Sequence, residues 1–353
     1  MPINITFNKN TMITENFELG PIRPPDEADS LLIRTTRGCP WNHCAFCTLY
    51  KGVQFSIRTV EEIKADILAA QAAYNGHPFE KCFLQDGDSF AMKTRDLVEI
   101  LRSLKSAFPS LKQISSYGRA QTMGRKSSVE MQEIAGAGLN VLYCGIESGS
   151  DEVLKKVRKG VSSESILEST LHAKSAGMEI LLFTILGLGG KELTDSHARG
   201  TARLIDDINP KDIRILSLAV KQDTPLEKMV QDGTFTVLSE VEMIEEQRII
   251  LGELHHTNSN YGNYHGVNLL VEVQGKIPEN KQQMLATIER FLTLDTKQQL
   301  NFIYGRRRGY YSHLQDMQQN DRYALVENEL RNYQEKRQYR IEDFFHQCRK
   351  NWI

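Results

Sequence analysis

The chain has 353 residues, of which 40% are hydrophobic and 25% charged; 43 basic against 45 acidic side chains leave a net charge of −2. This composition excludes disorder, collagen-like repeats and coiled coil for most of the chain, and the charge balance gives no global pull toward nucleic acid or anionic membrane. The opening MPINITFNKNTMITENF lacks a basic n-region followed by an apolar run, and there is no apolar stretch of about 18 residues, so neither a signal peptide nor a spanning helix is expected and the protein is expected to be cytoplasmic. The length exceeds the usual domain of about 100–200 residues, but α/β barrels reach about 250 as one unit.

In chain order, residues 1–29 read as an extended lead-in, with three prolines in GPIRPPDEADS. SLLIRTT (30–36) is a short buried strand. TVEEIKADILAAQAAY (59–74) is a helix with a threonine at its N-cap. KCFLQDGDS (81–89) is a strand ending in turn chemistry, and TRDLVEILRSLKSAF (94–108) a helix stopped by Pro109. The alternation continues with strands in 112–120, 139–150, 178–190 and 211–220, and helices over 127–138, 151–160, 162–177 and 192–208. Six strands with helical connections imply a parallel sheet with right-handed crossovers, its strands apolar because both faces are covered. Periodicity leaves open whether that sheet is doubly wound or a partial barrel. In either case the loops after the strand C-termini carry function. Beyond 220 the pattern weakens to helices at 240–255 and 280–294, a polar aromatic loop at 255–266, and a basic, aromatic tail that turns helical from about residue 320.

Three of the six cysteines, Cys39, Cys44 and Cys47, fall in one loop, TRGCPWNHCAFCTLY. In a reducing compartment such a group reads as metal-binding or catalytic. Structural zinc takes four protein ligands, usually as two short pairs, and this chain has no second pair; His43 as a fourth ligand is awkward beside Cys44. A four-iron cluster held by three cysteines keeps one iron open, whereas a plain electron carrier uses four cysteines.

This loop, with Phe46 just before the last cysteine, resembles the radical S-adenosylmethionine (radical SAM) superfamily, although the first gap is one residue longer than the usual C-x3-C-x2-C. The resemblance covers roughly residues 20–275. GIESGSDEVLKKVRKG (145–160), ILGLGG (185–190) and FLQDGDSFAM (83–92) are similar to segments of the branch containing oxygen-independent coproporphyrinogen oxidase and the methylthiotransferases. It implies a partial (β/α)6 TIM-type barrel at 30–220, a segment at 221–304 completing or covering its mouth, and a helical tail at 305–353. It implies a [4Fe-4S] cluster on Cys39, Cys44 and Cys47, with S-adenosylmethionine chelating the open iron. Reductive cleavage would then form a 5′-deoxyadenosyl radical that takes hydrogen from a small-molecule substrate, with flavodoxin or ferredoxin as electron donor.

The resemblance also assigns residues. Asp86, Gly87 and Asp88, in place of the commoner Gly-Gly-Glu, would lie near the cofactor's amino group. Glu147 would accept from the ribose hydroxyls. Lys159 stands where related enzymes place an arginine against the methionine carboxylate. Gly187 and Gly189 would allow close approach near the adenine, and Ser115, Ser116, Tyr117 and Arg119 would line the site.

Structural readings stand beside these. Cys82 and Cys144 are expected as small buried hydrophobes, the two aspartates as builders of an Asx-type turn, Glu147 as a cap for the following helix or the partner of a lysine, and Lys159 as a helix-end charge. His255–Tyr261, Arg23 and Glu27 are candidate substrate contacts. Arg306, Arg307 and Arg308 with Tyr310 and Tyr311 could grip RNA or form a solvated turn. The rival functions are therefore an RNA-modifying radical SAM enzyme and, from another class, a non-catalytic iron–sulfur or zinc protein.

Overall fold

The computed structural model describes residues 17–263, 265–336 and 340–350. β1 (Leu31–Arg34) leads into β2 (Thr36–Arg37), which pairs antiparallel with β3 (Ser56–Ile57); the cysteine loop lies between the two. The main sheet continues through β4 (Lys81–Gln85), β5 (Gln113–Tyr117), β6 (Leu139–Glu147), β7 (Glu179–Leu186) and β8 (Asp212–Ser217), all parallel, in the order β1-β4-β5-β6-β7-β8. This is the expected partial barrel. Two strands extend it: β9 (Asn260–Gly262) runs parallel beside β8, and β10 (Gly275–Lys276) closes antiparallel on β9.

The connecting helices form where local signals and apolar faces agree. Val60–Ala73 and Ser128–Ala137 each begin with a capping box, Thr59 with Glu62 and Ser127 with Glu130, satisfying backbone N–H groups that a first turn leaves orphaned. Their buried side chains cover the outer face of the sheet, where Leu31, Ile33, Cys82, Leu84, Leu142 and Cys144 belong to the main core. The inner face carries a separate aromatic-rich cluster of Phe83, Val141, Tyr143 and Leu181, with Leu32, Tyr117 and Phe183 packed on it. Cys82 and Cys144 are buried small hydrophobes, as expected.

The lead-in is more than a loose approach to β1. Glu27 is fully buried and accepts from Ser115 Oγ and Tyr143 OH, both at 2.8 Å. Asp26 pairs with Arg214, whose register partner Phe183 lies on the inner face. The segment is thus strapped across the barrel interior from β5 and β6 to β8.

Two readings of the C-terminal half change. His255–Tyr261 does not form an open substrate loop: the N–H groups of His255 and Thr257 donate to Asp206, that of Asn258 donates to Asn209, and Tyr261 is buried in β9. Arg306 and Arg307 belong to a helix, Thr296–Arg307, that begins with a capping box at Asp295 and Gln298. Arg306 donates to the carbonyls of Leu269 and Tyr311 at 3.1 Å, and Arg307 forks onto Glu240 at 2.6–2.9 Å. These two arginines are internal braces, neither an RNA grip nor a solvated turn. Among the described residues no helix is long and apolar enough to cross a membrane.

Candidate active site at the cysteine loop

The three cysteines lie at the end of the barrel where the parallel strands finish, and all three thiols are free and partly exposed. The four-residue gap between Cys39 and Cys44 is held by its own contents. Trp41 Nε1 donates to the Arg158 carbonyl at 2.8 Å, and the indole lies against Gly160, where a Cβ would fall 2.3 Å from Trp41 Cζ2. Asn42 takes a left-handed conformation (φ 49°) and its side-chain amide donates to the Tyr50 carbonyl at 2.7 Å. Ala45 N–H donates to Val157 O at 2.8 Å, and Ala45 O accepts from Leu226 N–H at 3.0 Å. These contacts dock the loop onto the 157–160 turn and the 225–231 helix.

The turn after β4 lies directly beside the first cysteine. Gly87 N–H donates to Gly38 O at 3.2 Å, and a Cβ on Gly87 would sit 2.8 Å from Gly38 O and 3.1 Å from Cys39 Cβ, so only glycine fits. Asp86, at φ 75°, accepts from Arg34 Nε at 2.6 Å, Tyr50 OH at 3.1 Å and Gly38 N–H at 3.3 Å. Asp88 accepts from Thr122 Oγ at 2.5 Å and caps Phe90 N–H at 3.1 Å. Both carboxylates are fully buried on protein partners. They shape the turn under Cys39, where Asp88 makes the Asx-type turn that the structural reading of these residues expects. Burial pushes Asp88 up to about 7 against the pull of Thr122 and Arg119.

Glu147 and Lys159 come together as the sequence motif suggests, but on each other. Lys159 Nζ donates to Glu147 Oε1 at 2.8 Å, with 12% and 13% of the two side chains exposed. Glu147 sits at φ 63°, and a Cβ on Gly145 would lie 2.3 Å from its carboxylate, so the pair needs that glycine. Burial opposes the charge on Lys159, but Glu147 and the Cys44 thiol outweigh it, and the net shift is upward. Burial likewise pushes Cys44 and Cys47 up, while Lys159 pulls both down and Arg119 pulls down Cys44. Arg119 Nη1 reaches Cys39 Sγ at 3.7 Å. Two cations thus converge on the thiols, where thiolates need compensation.

Other expected residues lie around this centre in different roles. Phe46 is partly buried against the core. Ser115 faces inward onto Glu27, whereas Ser116 registers with Leu84 and Leu142 on the helix-covered face, so its hydroxyl turns away from the lumen. Gly187 and Gly189 are filled by the chain itself: Gly187 N–H donates to Glu246 Oε2 at 2.5 Å, and a Cβ on Gly189 would meet Leu193 O at 2.8 Å. Their close approach serves packing of the turn. The sequence gives no local signal for the supporting network of His197 and Glu246. His197 Nδ1 and Ser148 Oγ lie 2.8 Å apart, His197 Nε2 and Ile185 O 3.0 Å, and Glu246 also accepts from Thr194 Oγ at 2.7 Å. These contacts join the ends of β6 and β7 through residues as far as 59 positions apart in the chain.

The donor set suits an iron–sulfur cluster. It consists of three soft thiols in one loop with Arg119 and Lys159 beside them. Comparison with known proteins agrees. A radical SAM superfamily model matches residues 33–205, and that segment is a radical SAM domain; the superfamily uses a [4Fe-4S] cluster and S-adenosylmethionine. The chain is 27% identical over 158 residues to an uncharacterized methyltransferase of Pyrococcus horikoshii, spanning 44% of this chain but only 32% of that relative. It is 21% identical over 276 residues to the heme chaperone HemW of Buchnera aphidicola, spanning 71% and 72% of the two. The cobalamin-dependent S-adenosylmethionine radical enzyme OxsB superposes with a TM-score of 0.50 at 11% identity, over 92% of this chain and 59% of that one, a likeness of fold.

Proposed function

We propose that this chain binds a [4Fe-4S] cluster on Cys39, Cys44 and Cys47 and cleaves S-adenosylmethionine reductively to act on a small-molecule substrate. The observation that carries the reading is the convergence of Lys159, Glu147 and Arg119 on three free thiols in a single loop. When bound, the cluster and cofactor supply one-electron cleavage of the sulfonium to a 5′-deoxyadenosyl radical.

The chain's own residues do the holding. The cysteines ligate, and the Trp41 wedge fixes the loop that carries them. Lys159 engages one oxygen of Glu147, leaving the carboxylate anchored at one end and able to accept from a ribose hydroxyl at the other. As an ammonium with three donors, Lys159 can bond Glu147 and a second carboxylate together. Glu27 and the inner-face aromatics form an ordered floor beneath, which confines a radical.

The test is anaerobic reconstitution of the Cys44→Ala protein. Loss of cluster absorbance and of 5′-deoxyadenosine production is expected. A Cys44→Ala protein that makes 5′-deoxyadenosine at the normal rate overturns the assignment. A wild-type protein that holds iron but never turns over the cofactor points instead to a redox carrier.

A further inference from the structure

We infer that Arg119 raises the reduction potential of the cluster by donating to the sulfur of one ligand, Cys39, an inference that rests on the cluster reading above. Arg119 Nη1 donates to Cys39 Sγ at 3.7 Å across 80 positions of chain. Cys44 feels the same guanidinium as a nearby charge. The three ligands are therefore not equivalent, because one of them carries a directed donor.

This guanidinium is not spent elsewhere. Arg34 binds Glu18 and Asp86, Arg58 binds Asp66, and Arg214 binds Asp26. Lys159, the second cation at the thiols, is neutralised by Glu147 at 2.8 Å. Among the described residues no carboxylate lies within ion-pair distance of Arg119. Asp88 feels its charge, but that carboxylate is taken up by Thr122 Oγ at 2.5 Å and Phe90 N–H at 3.1 Å. A half-buried guanidinium without a paired anion keeps its full charge for the sulfur it faces.

The backbone holds that aim. Gly118 N–H donates to Tyr143 O at 3.0 Å, tying the turn after β5 to β6, and a Cβ on Gly118 would meet Met123 Sδ at 2.9 Å. The Arg119 carbonyl opens the short helix Ala120–Met123, accepting from Thr122 N–H at 3.1 Å and Met123 N–H at 2.9 Å. Reduction adds one electron to the cluster, and the guanidinium keeps its proton throughout. A donor on a ligand sulfur and an uncompensated positive charge both favour the reduced, more negative form, so both raise the potential.

The test is a dithionite titration of cluster-loaded full-length protein, followed by EPR and run without S-adenosylmethionine. In Arg119→Gln the ratio of reduced to oxidised cluster at a fixed potential should fall about tenfold, which places the one-electron midpoint about 59 mV lower. Arg119→Lys keeps the charge but loses the planar fork, so its midpoint should fall between the two. Arg125→Gln, at an exposed arginine just past the same short helix, should leave the midpoint at the wild-type value. A wild-type midpoint in Arg119→Gln overturns the proposal; if cofactor binding measured by calorimetry weakens at the same time, the guanidinium serves the cofactor and not the ligand sulfur. A measurement on the wild-type chain stands apart from any folding defect of the variants. With the arginine guanidinium nitrogens isotopically labelled, pulsed EPR of the reduced cluster should show a nitrogen coupling, and its absence overturns the proposal. Failure of the wild-type protein to take up iron at all strikes the cluster reading itself, which separates the two.

Discussion

Glu240 and Glu147 are both carboxylates held by cations, and they are gripped differently. Glu240 has both oxygens engaged: Arg307 forks across them and Arg349, 1% exposed, adds a second guanidinium from the C-terminal helix Ile341–Lys350. Burial pushes Glu240 up, but the two guanidiniums outweigh it and hold it below the usual carboxylate range. Glu147 meets a single lysine on one oxygen, at the open end of the barrel, on a strained φ. A saturated fork locks two elements together and has nothing left for a ligand. A single-point pair keeps valence in reserve. The contrast separates the residues that hold the tail from those placed to bind a cofactor.

The largest effect should come from the saturated site. Glu240→Gln leaves Arg307 and Arg349 buried without a countercharge, and urea unfolding should show a loss of about 3–5 kcal/mol with little change in cofactor affinity. Glu147→Gln should reverse that pattern: a smaller stability loss of about 1–3 kcal/mol, but cofactor binding weakened about tenfold by calorimetry on cluster-loaded protein. If both variants lose stability alike and neither loses affinity, the distinction between the two sites fails.

Gly160→Ala sharpens the comparison from the loop side. A methyl group there collides with the Trp41 indole on a backbone at φ 74°, so stability should fall by about 1–3 kcal/mol and bound iron per chain should drop after reconstitution. At Asp88 the effect is expected as a pH dependence of stability, not as a fixed loss. Its folded-state value near 7 lies above the ordinary 3.8, so the folded chain holds the proton more tightly and stability declines as pH rises from about 4 through about 7. Asp88→Asn removes that titration. Its unfolding midpoint should match wild type near pH 4 and exceed it by about pH 8, measured in parallel urea titrations across that range.

Much of this was legible in the chain because local and global signals agree. Thr59 and Ser127 announce their helices by capping boxes, the strands read as apolar runs because both sheet faces are covered, and the cysteine spacing marks the loop. The misreadings share a cause, which is that tertiary partners decide them. β9 is three residues of Asn-Tyr-Gly with no strand signature of its own, held in the sheet by pairing with β8. The helix at Thr296–Arg307 interleaves polar and apolar side chains around several buried contacts, which hides its period, so Arg306 and Arg307 look like part of the solvated turn that only Arg308 occupies. The aspartates of the β4 turn carry the right residue types for a ligand, and only Arg34, Tyr50 and Thr122, brought from other elements, show that they face inward. No pattern in the sequence identifies the His197 and Glu246 network, whose contacts are all non-local.

The strap at Asp26 and Glu27 has a consequence for how the barrel can be entered. Its carboxylates stitch β5, β6 and β8 together from within. Cutting the chain back past Ser30 would therefore leave Arg214 without its Asp26 partner and the Tyr143 hydroxyl without its acceptor, which amounts to a lesion in the interior more than the trimming of an end.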